Sequence, residues 1–368
     1  LRVDGLSPNE HVVVRVEARD AHQTRWRSQA TFAADARGIV DPSAQHPLAG
    51  TYRGVHPQGL LWSMRPVASP RDNVAFWIPR RKFSLEITVS AKGRRVAGQT
   101  VTRLTMGPRV TSRTLRLGAT GVYGRFYAPA SRARLRPAVL LIGGSEGGVG
   151  LEPIASLLAA HGYPALSVAY FGEPGLPRGL AEIPLEYFAT ALRWLRRQPG
   201  VGAHRLVVVG GSRGSEAALL LAAHFPTLVD SVIALSPSNV SVGSFPGCRD
   251  PAWTLAGQPI PYQCSFGPNE NTTGAAIPVR RIEARLLLVC GGADSVWPSC
   301  PMAHAIERER RGRGDVLLDY PAAGHGVGFT PNTPIWFEQL AGASPQANPT
   351  ARERFWPHLL RFVAATPG

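Results

Sequence analysis

The stretch Leu206-Val207-Val208-Val209-Gly210-Gly211-Ser212-Arg213-Gly214-Ser215-Glu216-Ala217-Ala218-Leu219 is an apolar run that breaks at two glycines around a serine and resumes with helical spacing. It reads as a strand, a sharp turn and a helix. Gly210-Gly211-Ser212-Arg213-Gly214 fits the pattern G-x-S-x-G, in which the serine sits on a strained elbow and its small neighbours let backbones approach closely. A hydroxyl there is lifted out at the end of a sheet, at a helix N-terminus whose unpaired N–H groups favour developing negative charge. The bland alternative is a Gly/Ser turn between a core strand and a core helix, and the surrounding pattern has to decide between them.

From about Leu135 onward, short apolar runs at 138–142, 165–169, 206–209, 231–235, 286–289 and 316–320 alternate with helical patterns at 153–161, 184–197, 215–224 and 301–311. Strands alternating with helices build βαβ units and a mostly parallel sheet covered on both faces. Ligands of such sheets bind outside the carboxyl ends of the strands, which is where Ser212 falls. The stretch 238–276 is rich in Gly and Pro and poor in periodicity, and is expected to be a lid or a substrate-contacting excursion.

The first hundred or so residues read differently. Val12, Val14, Val16 and Ala18 alternate with Val13, Arg15, Glu17 and Arg19, and Phe83, Leu85, Ile87 and Val89 alternate with polar residues. Period-two alternation between turn-rich stretches, such as 41–43 and 69–73, predicts antiparallel strands and a small β-sandwich. With 368 residues and 44% hydrophobic composition, two domains are expected: 1–115 as the sandwich and 116–368 as the α/β unit.

The net charge of +15 is almost wholly arginine, since Lys82 and Lys92 are the only lysines. The basic residues are scattered without an aromatic-rich RNA-binding pattern or zinc finger, so nucleic acid is not an expected partner. No apolar run approaches the length of a membrane span. Four cysteines, Cys248, Cys264, Cys290 and Cys300, lack any C-x-x-C pair, which argues against a structural zinc site. The expected pairs are Cys248 with Cys264, bracketing a Pro/Gly-rich loop, and Cys290 with Cys300; buried free thiols are the alternative. An even count favours an exported setting over a cytoplasmic one. The chain begins at Leu1 without methionine, in keeping with a removed signal segment or a trimmed terminus.

A serine hydroxyl needs an imidazole to take its proton and an acid to hold that imidazole's tautomer. In this class of fold the chain order is Ser, then Asp or Glu, then His. Of the ten histidines, His304, His325 and His358 come late enough in the chain. His325 lies in Ala322-Ala323-Gly324-His325-Gly326, directly after the last strand, whereas His304 and His358 fall on helices. Asp294 follows its strand through Gly291-Gly292 and emerges at the carboxyl end; sheet-face roles are expected for Asp315 and Asp319. Transition-state charge needs backbone donors: one from Arg213, the other from the loop Gly143-Gly144-Ser145-Glu146-Gly147-Gly148, through Ser145 or Glu146. No cofactor or metal is called for by this chemistry.

These residues make the chain resemble the acyl-CoA thioesterase and bile acid-CoA:amino acid N-acyltransferase family, along nearly its whole length. Leu6-Ser7-Pro8, Ala49-Gly50-Thr51-Tyr52 and Gly59-Leu60-Leu61-Trp62-Ser63-Met64 are similar to the family's N-terminal β-sandwich. Ala169-Tyr170-Phe171-Gly172, Gly175-Leu176-Pro177 and Ile183-Pro184-Leu185-Glu186-Tyr187-Phe188 are similar to its C-terminal signature, and Ser212-Arg213-Gly214-Ser215-Glu216 to its elbow. The resemblance implies an α/β-hydrolase fold, a triad of Ser212, Asp294 and His325, and a small-molecule acyl thioester or ester as substrate. Two departures stand out. Ser212 occupies the position where conjugating members carry cysteine, and Arg213 the position of the usual lysine. The first favours hydrolysis over acyl transfer to an amine or alcohol. A non-catalytic binding protein on a hydrolase scaffold is the reading from another class, and the intact Ser, Asp, His order argues against it.

Overall fold

The computed structural model describes residues 1–68, 75–130, 135–265, 274–335, 344 and 346–366. The turn read at 69–73 and part of the excursion, 266–273, lie outside the described residues. The chain divides into two compact units, Leu1–Met106 with Thr330–Glu353, and Gly107–Phe329 with Arg354–Gly368.

The first unit is β-rich. Its strands are β1 (His11–Arg19), β2 (Arg25–Ala33), β3 (Ala49–Gly50), β4 (Arg65–Pro66), β5 (Lys82–Ala91) and β6 (Arg94–Leu104). They form an antiparallel sheet in the order β3-β2-β1-β5-β6, with β4 also on β2. The period-two pattern is realised in its register: Val14 lies opposite Ala30 on one side and Val89 on the other. Val12, Val14 and Val16 are buried with Trp26, Phe32 and Leu85, while the alternate residues are exposed or half-buried. Burying each such side chain contributes roughly 1.5–3 kcal/mol, so a one-residue slip that turned the row outward would forfeit most of this core. The short helix α1 (Gly59–Trp62) adds Leu60, Leu61 and Trp62 to the same core.

The second unit contains an eight-stranded sheet. Its strands are β7 (Val110–Leu115), β8 (Tyr123–Pro129), β9 (Arg136–Ile142), β10 (Ala165–Ala169), β12 (Val201–Gly211), β13 (Ser231–Leu235), β16 (Arg285–Gly291) and β17 (Val316–Tyr320); β11 (Ile183–Pro184), β14 (Trp253–Leu255) and β15 (Gln258–Pro259) form a small separate sheet. The large sheet runs β17-β16-β13-β12-β9-β10-β8-β7, parallel from β17 to β10 and antiparallel at β8 and β7. β7 pairs with β8, Leu115 opposite Gly124, and so belongs to this sheet. The central strands are buried on both faces, which is why they read as continuous rather than alternating apolar runs.

Two short helices, α2 (Leu117–Thr120) and α3 (Glu152–Ala160), precede the two longer ones that frame the site. α4 (Leu185–Arg196) buries Leu185, Phe188, Leu192 and Leu195 along one stripe, with Glu186 in its first turn and Arg193 and Arg196 in its last, matching the helix dipole. In α5 (Arg213–His224), residues Arg213 to Ala223 are all buried, so its small and apolar composition reflects a helix enclosed on every side. The chain between β13 and β16 is more than a loose lid: Ala252 and Trp253 join the main core. Cys248 is bonded to Cys264, and Cys290 to Cys300.

Candidate active site

β12 delivers Ser212 to the edge of the sheet and α5 starts at the next residue. Ser212 has φ 54° and ψ −122°, a conformation that ordinary residues avoid. The flanking glycines make it attainable. A Cβ on Gly210 would come within 2.1 Å of Gly214 O, and one on Gly214 within 2.2 Å of Ile142 O and 2.3 Å of Gly143 O. The G-x-S-x-G spacing is therefore a packing requirement of the elbow as well as a signature.

His325 arrives from the loop after β17, and Asp294 from the loop after β16. His325 Nε2 is 2.9 Å from Ser212 Oγ, and His325 Nδ1 is 2.9 Å from Asp294 Oδ2. The other carboxylate oxygen, Oδ1, accepts the backbone N–H of Val296 at 3.0 Å and of Trp297 at 3.3 Å. Both oxygens are thus occupied, which fixes the carboxylate's plane and holds it on Nδ1–H. The two loops pack directly on one another: a Cβ on Gly291 would lie 2.4 Å from both Ala323 O and Gly324 O.

Two residues that sequence reasoning did not reach hold the imidazole from outside. Ser236, at φ 47°, donates its hydroxyl to His325 O at 2.6 Å. Trp297 packs its ring edge-on to the imidazole, centroids 5.2 Å apart, and donates Nε1–H to Ser236 O at 3.2 Å. The outlying φ of Ser236, directly after β13, is set by the same topology that puts Ser212 after β12. No local pattern in the sequence announces it.

Gly144, Glu146, Leu151, Leu235, Gly328 and Phe329 line the pocket around Ser212 and His325. Ser145 is not among its lining residues, whereas Glu146 is. The Glu146 carboxyl group folds back beneath the glycine loop, where a Cβ on Gly150 would meet Oε1. The N–H groups of Gly144 and Glu146 are turned to that carboxyl. Burial pushes the carboxyl above its ordinary value of 4.5, against the weaker opposing effects of those N–H groups and of His325. Arg213 N–H, as the first of α5, has no intrahelical partner. Tyr170, from the signature after β10, holds the loop from behind: its O–H is 2.8 Å from Gly144 O and 2.9 Å from Gly143 O.

The Arg213 side chain turns away from the pocket. It forms a buried pair with Glu216 at 2.8 Å and donates to Gly243 O at 2.9 Å. Glu216 also accepts Val242 N–H and Trp253 Nε1–H, each at 3.0 Å. The acidic residue four after the serine thus ties the elbow helix to the excursion at 242–253. The remaining sequence candidates are elsewhere. His358 is exposed on the C-terminal helix Ala347–Ala364, Asp315 pairs with buried Arg310 at 2.7 Å, and His304 lies 3.1 Å from Asp319.

Comparison with known proteins bears on this arrangement. Residues 1–117 match the family described as the acyl-CoA thioester hydrolase/BAAT N-terminal region, and residues 183–251 and 260–366 match the BAAT/acyl-CoA thioester hydrolase C terminal. The chain belongs to this family. Its relatives include the mouse acyl-coenzyme A amino acid N-acyltransferase 2, 26% identical with 98% of this chain and 93% of the relative covered. Mouse acyl-coenzyme A thioesterase 6 is 28% identical over 88% of this chain and 81% of its own length. Human bile acid-CoA:amino acid N-acyltransferase is 28% identical over 99% and 93%. Among solved structures, a dienelactone hydrolase from Klebsiella pneumoniae covers 70% of this chain and 99% of its own, at 17% identity and a TM-score of 0.49. The second unit is an α/β-hydrolase fold, and membership of the family makes the chain an enzyme of acyl thioester chemistry, by hydrolysis or by acyl transfer.

Proposed function

We propose that this protein hydrolyses acyl thioesters through an acyl-enzyme on Ser212. The observation that carries the reading is the continuous chain of hydrogen bonds from Ser212 Oγ through His325 to Asp294. In this reading His325 Nε2 takes the hydroxyl proton as Oγ attacks the acyl carbon, and Asp294 stabilises the imidazolium that forms. Arg213 N–H donates to the developing oxyanion, assisted by the positive end of α5. Collapse expels the thiolate, which takes the proton from His325, and leaves an oxygen ester on Ser212. Neutral His325 then takes a proton from the water that attacks that ester and returns it to Ser212 Oγ as the carboxylic acid leaves.

The nucleophile's chemistry favours water over an amine. A thioester acyl-enzyme reacts readily with amines, whereas an oxygen ester is less electrophilic toward them and is resolved by a water that the imidazole activates. The test is to incubate the protein with acyl-CoA thioesters and millimolar glycine or taurine, and to quantify products by mass spectrometry. Free acid should dominate; predominant amide would replace hydrolysis by transfer. Cleavage of an aryl ester with no turnover of any thioester would keep the mechanism and overturn the substrate class.

A further inference from the structure

Behind the loop that carries Asp294, four side chains with metal-binding chemistry converge. Cys290, next to last in β16, lies opposite Asp319 in the parallel register with β17. Cys300 stands in the first turn of α6 (Ser299–Glu309), and His304 is one turn further along the same helix. One carboxylate joins them. Asp319 Oδ1 is 3.4 Å from Cys300 Sγ, and Asp319 Oδ2 is 3.1 Å from His304 Nε2. Cys290, Cys300 and Asp319 offer ligand atoms that all lie within 4.8 Å of one another.

We propose that, when the Cys290–Cys300 disulfide is opened by a dithiol, these two cysteines with His304 and Asp319 bind one zinc-like divalent cation. The electrons balance simply. The dithiol is oxidised to its own disulfide, the protein disulfide takes up two electrons and two protons, and the cation displaces the two thiol protons as it binds the thiolates. Two sulfurs, an imidazole and a carboxylate form a tetrahedral donor set suited to zinc.

The spacing fits that geometry. With metal–sulfur and metal–nitrogen bonds of about 2.3 and 2.0 Å, the edges of the coordination tetrahedron are about 3.3–3.8 Å. The Cys300–Asp319 contact, through Oδ1, is already of that length, and the His304–Asp319 contact, through Oδ2, is slightly shorter. The sulfurs have to part, which reduction permits, and the half-exposed His304 ring has to swing in to join the closer group of Cys290, Cys300 and Asp319. The outer groups fit as well. His304 Nδ1 is 3.4 Å from Glu307 Oε2, so the carboxylate–imidazole arrangement that commonly orients a ligating histidine is present, with Nε2 left facing the site. The His304 and Asp319 side chains are 42% and 35% exposed, which gives the cation an entrance, while Cys290 and Cys300 are buried. A bound cation would clip β16 to α6 where the disulfide does in the oxidised protein, and so would keep the Asp294 loop closed at its base.

The test uses the full chain with Cys248 and Cys264 both changed to serine, so that any thiolate signal belongs to the second pair. Cadmium is titrated into the oxidised and the phosphine-reduced protein, following thiolate-to-metal charge-transfer absorption. Reduced protein should bind one cadmium per chain, and oxidised protein none. His304→Ala and Asp319→Asn, both at partly exposed positions that leave the disulfide in place, should each weaken binding by about tenfold or more. Reduced protein without charge-transfer absorption would overturn the proposal. So would affinity that neither substitution changes.

Discussion

His325 Nε2 lies 2.9 Å from Ser212 Oγ across 113 residues of chain, and the two meet because β12 and β17 both release their loops at the same end of one sheet. Nothing local couples them. The contact is a product of strand order, and it organises the expectations that follow.

Ser212→Ala and His325→Ala should each lower kcat by roughly three to six orders of magnitude, and Asp294→Asn by about four, because the three act as one unit. Circular dichroism should show an unchanged fold. If His325→Ala kept near wild-type kcat, the base would have to be sought at His304 or His358.

Ser236 fixes the main chain of His325 rather than its ring. Losing that hydrogen bond costs about 1 kcal/mol, so Ser236→Ala should lower kcat roughly fivefold with little change in KM. Steady-state kinetics decides: a pure KM effect would mean that Ser236 serves substrate binding instead.

Glu146 gives a pH-dependent expectation. Its carboxyl is raised above 4.5 in the folded protein, so the native state holds the proton more tightly than the unfolded chain. The stability it contributes is complete below its unfolded value and is lost as pH rises through the folded one. Glu146→Gln, which cannot ionise, should gain in melting temperature relative to wild type as pH is raised from about 4 to 8. A difference independent of pH would mean that the carboxyl titrates alike in the folded and unfolded states, and would contradict this account.

The elbow glycines are unequal. Gly214→Ala would drive a Cβ into Ile142 O at 2.2 Å and should destabilise by about 3 kcal/mol or more. At Gly211 an added Cβ meets nothing nearer than Leu151 Cδ1 at 3.9 Å, so Gly211→Ala should cost about 1 kcal/mol or less. Urea unfolding of the two variants would compare them, and equal midpoints would contradict the packing account.

Much of this was legible in the chain because single periods govern single elements. The apolar runs at 165–169, 231–235 and 316–320 coincide with β10, β13 and β17, and the helical pattern at 184–197 with α4. The places of Ser212, Asp294 and His325 follow from strand ends plus chain order. What sequence could not supply is what tertiary packing creates. Ser236, Trp297 and Tyr170 act through contacts with distant main chain, and a serine or an aromatic ring carries no local mark of such a role. Glu146 is a similar case: its position in the glycine loop is visible, but the rotation of its carboxyl back under Gly143 and Gly150 is not.

The central claim is that Ser212 carries the acyl group, and an acid-quenched reaction tests it most directly. Protein mixed with excess acyl-CoA, quenched within a turnover and digested, should show one acyl group per chain on the peptide containing Ser212, and none in Ser212→Ala. An acyl group mapped to another residue, or sustained turnover by Ser212→Ala, would contradict the account.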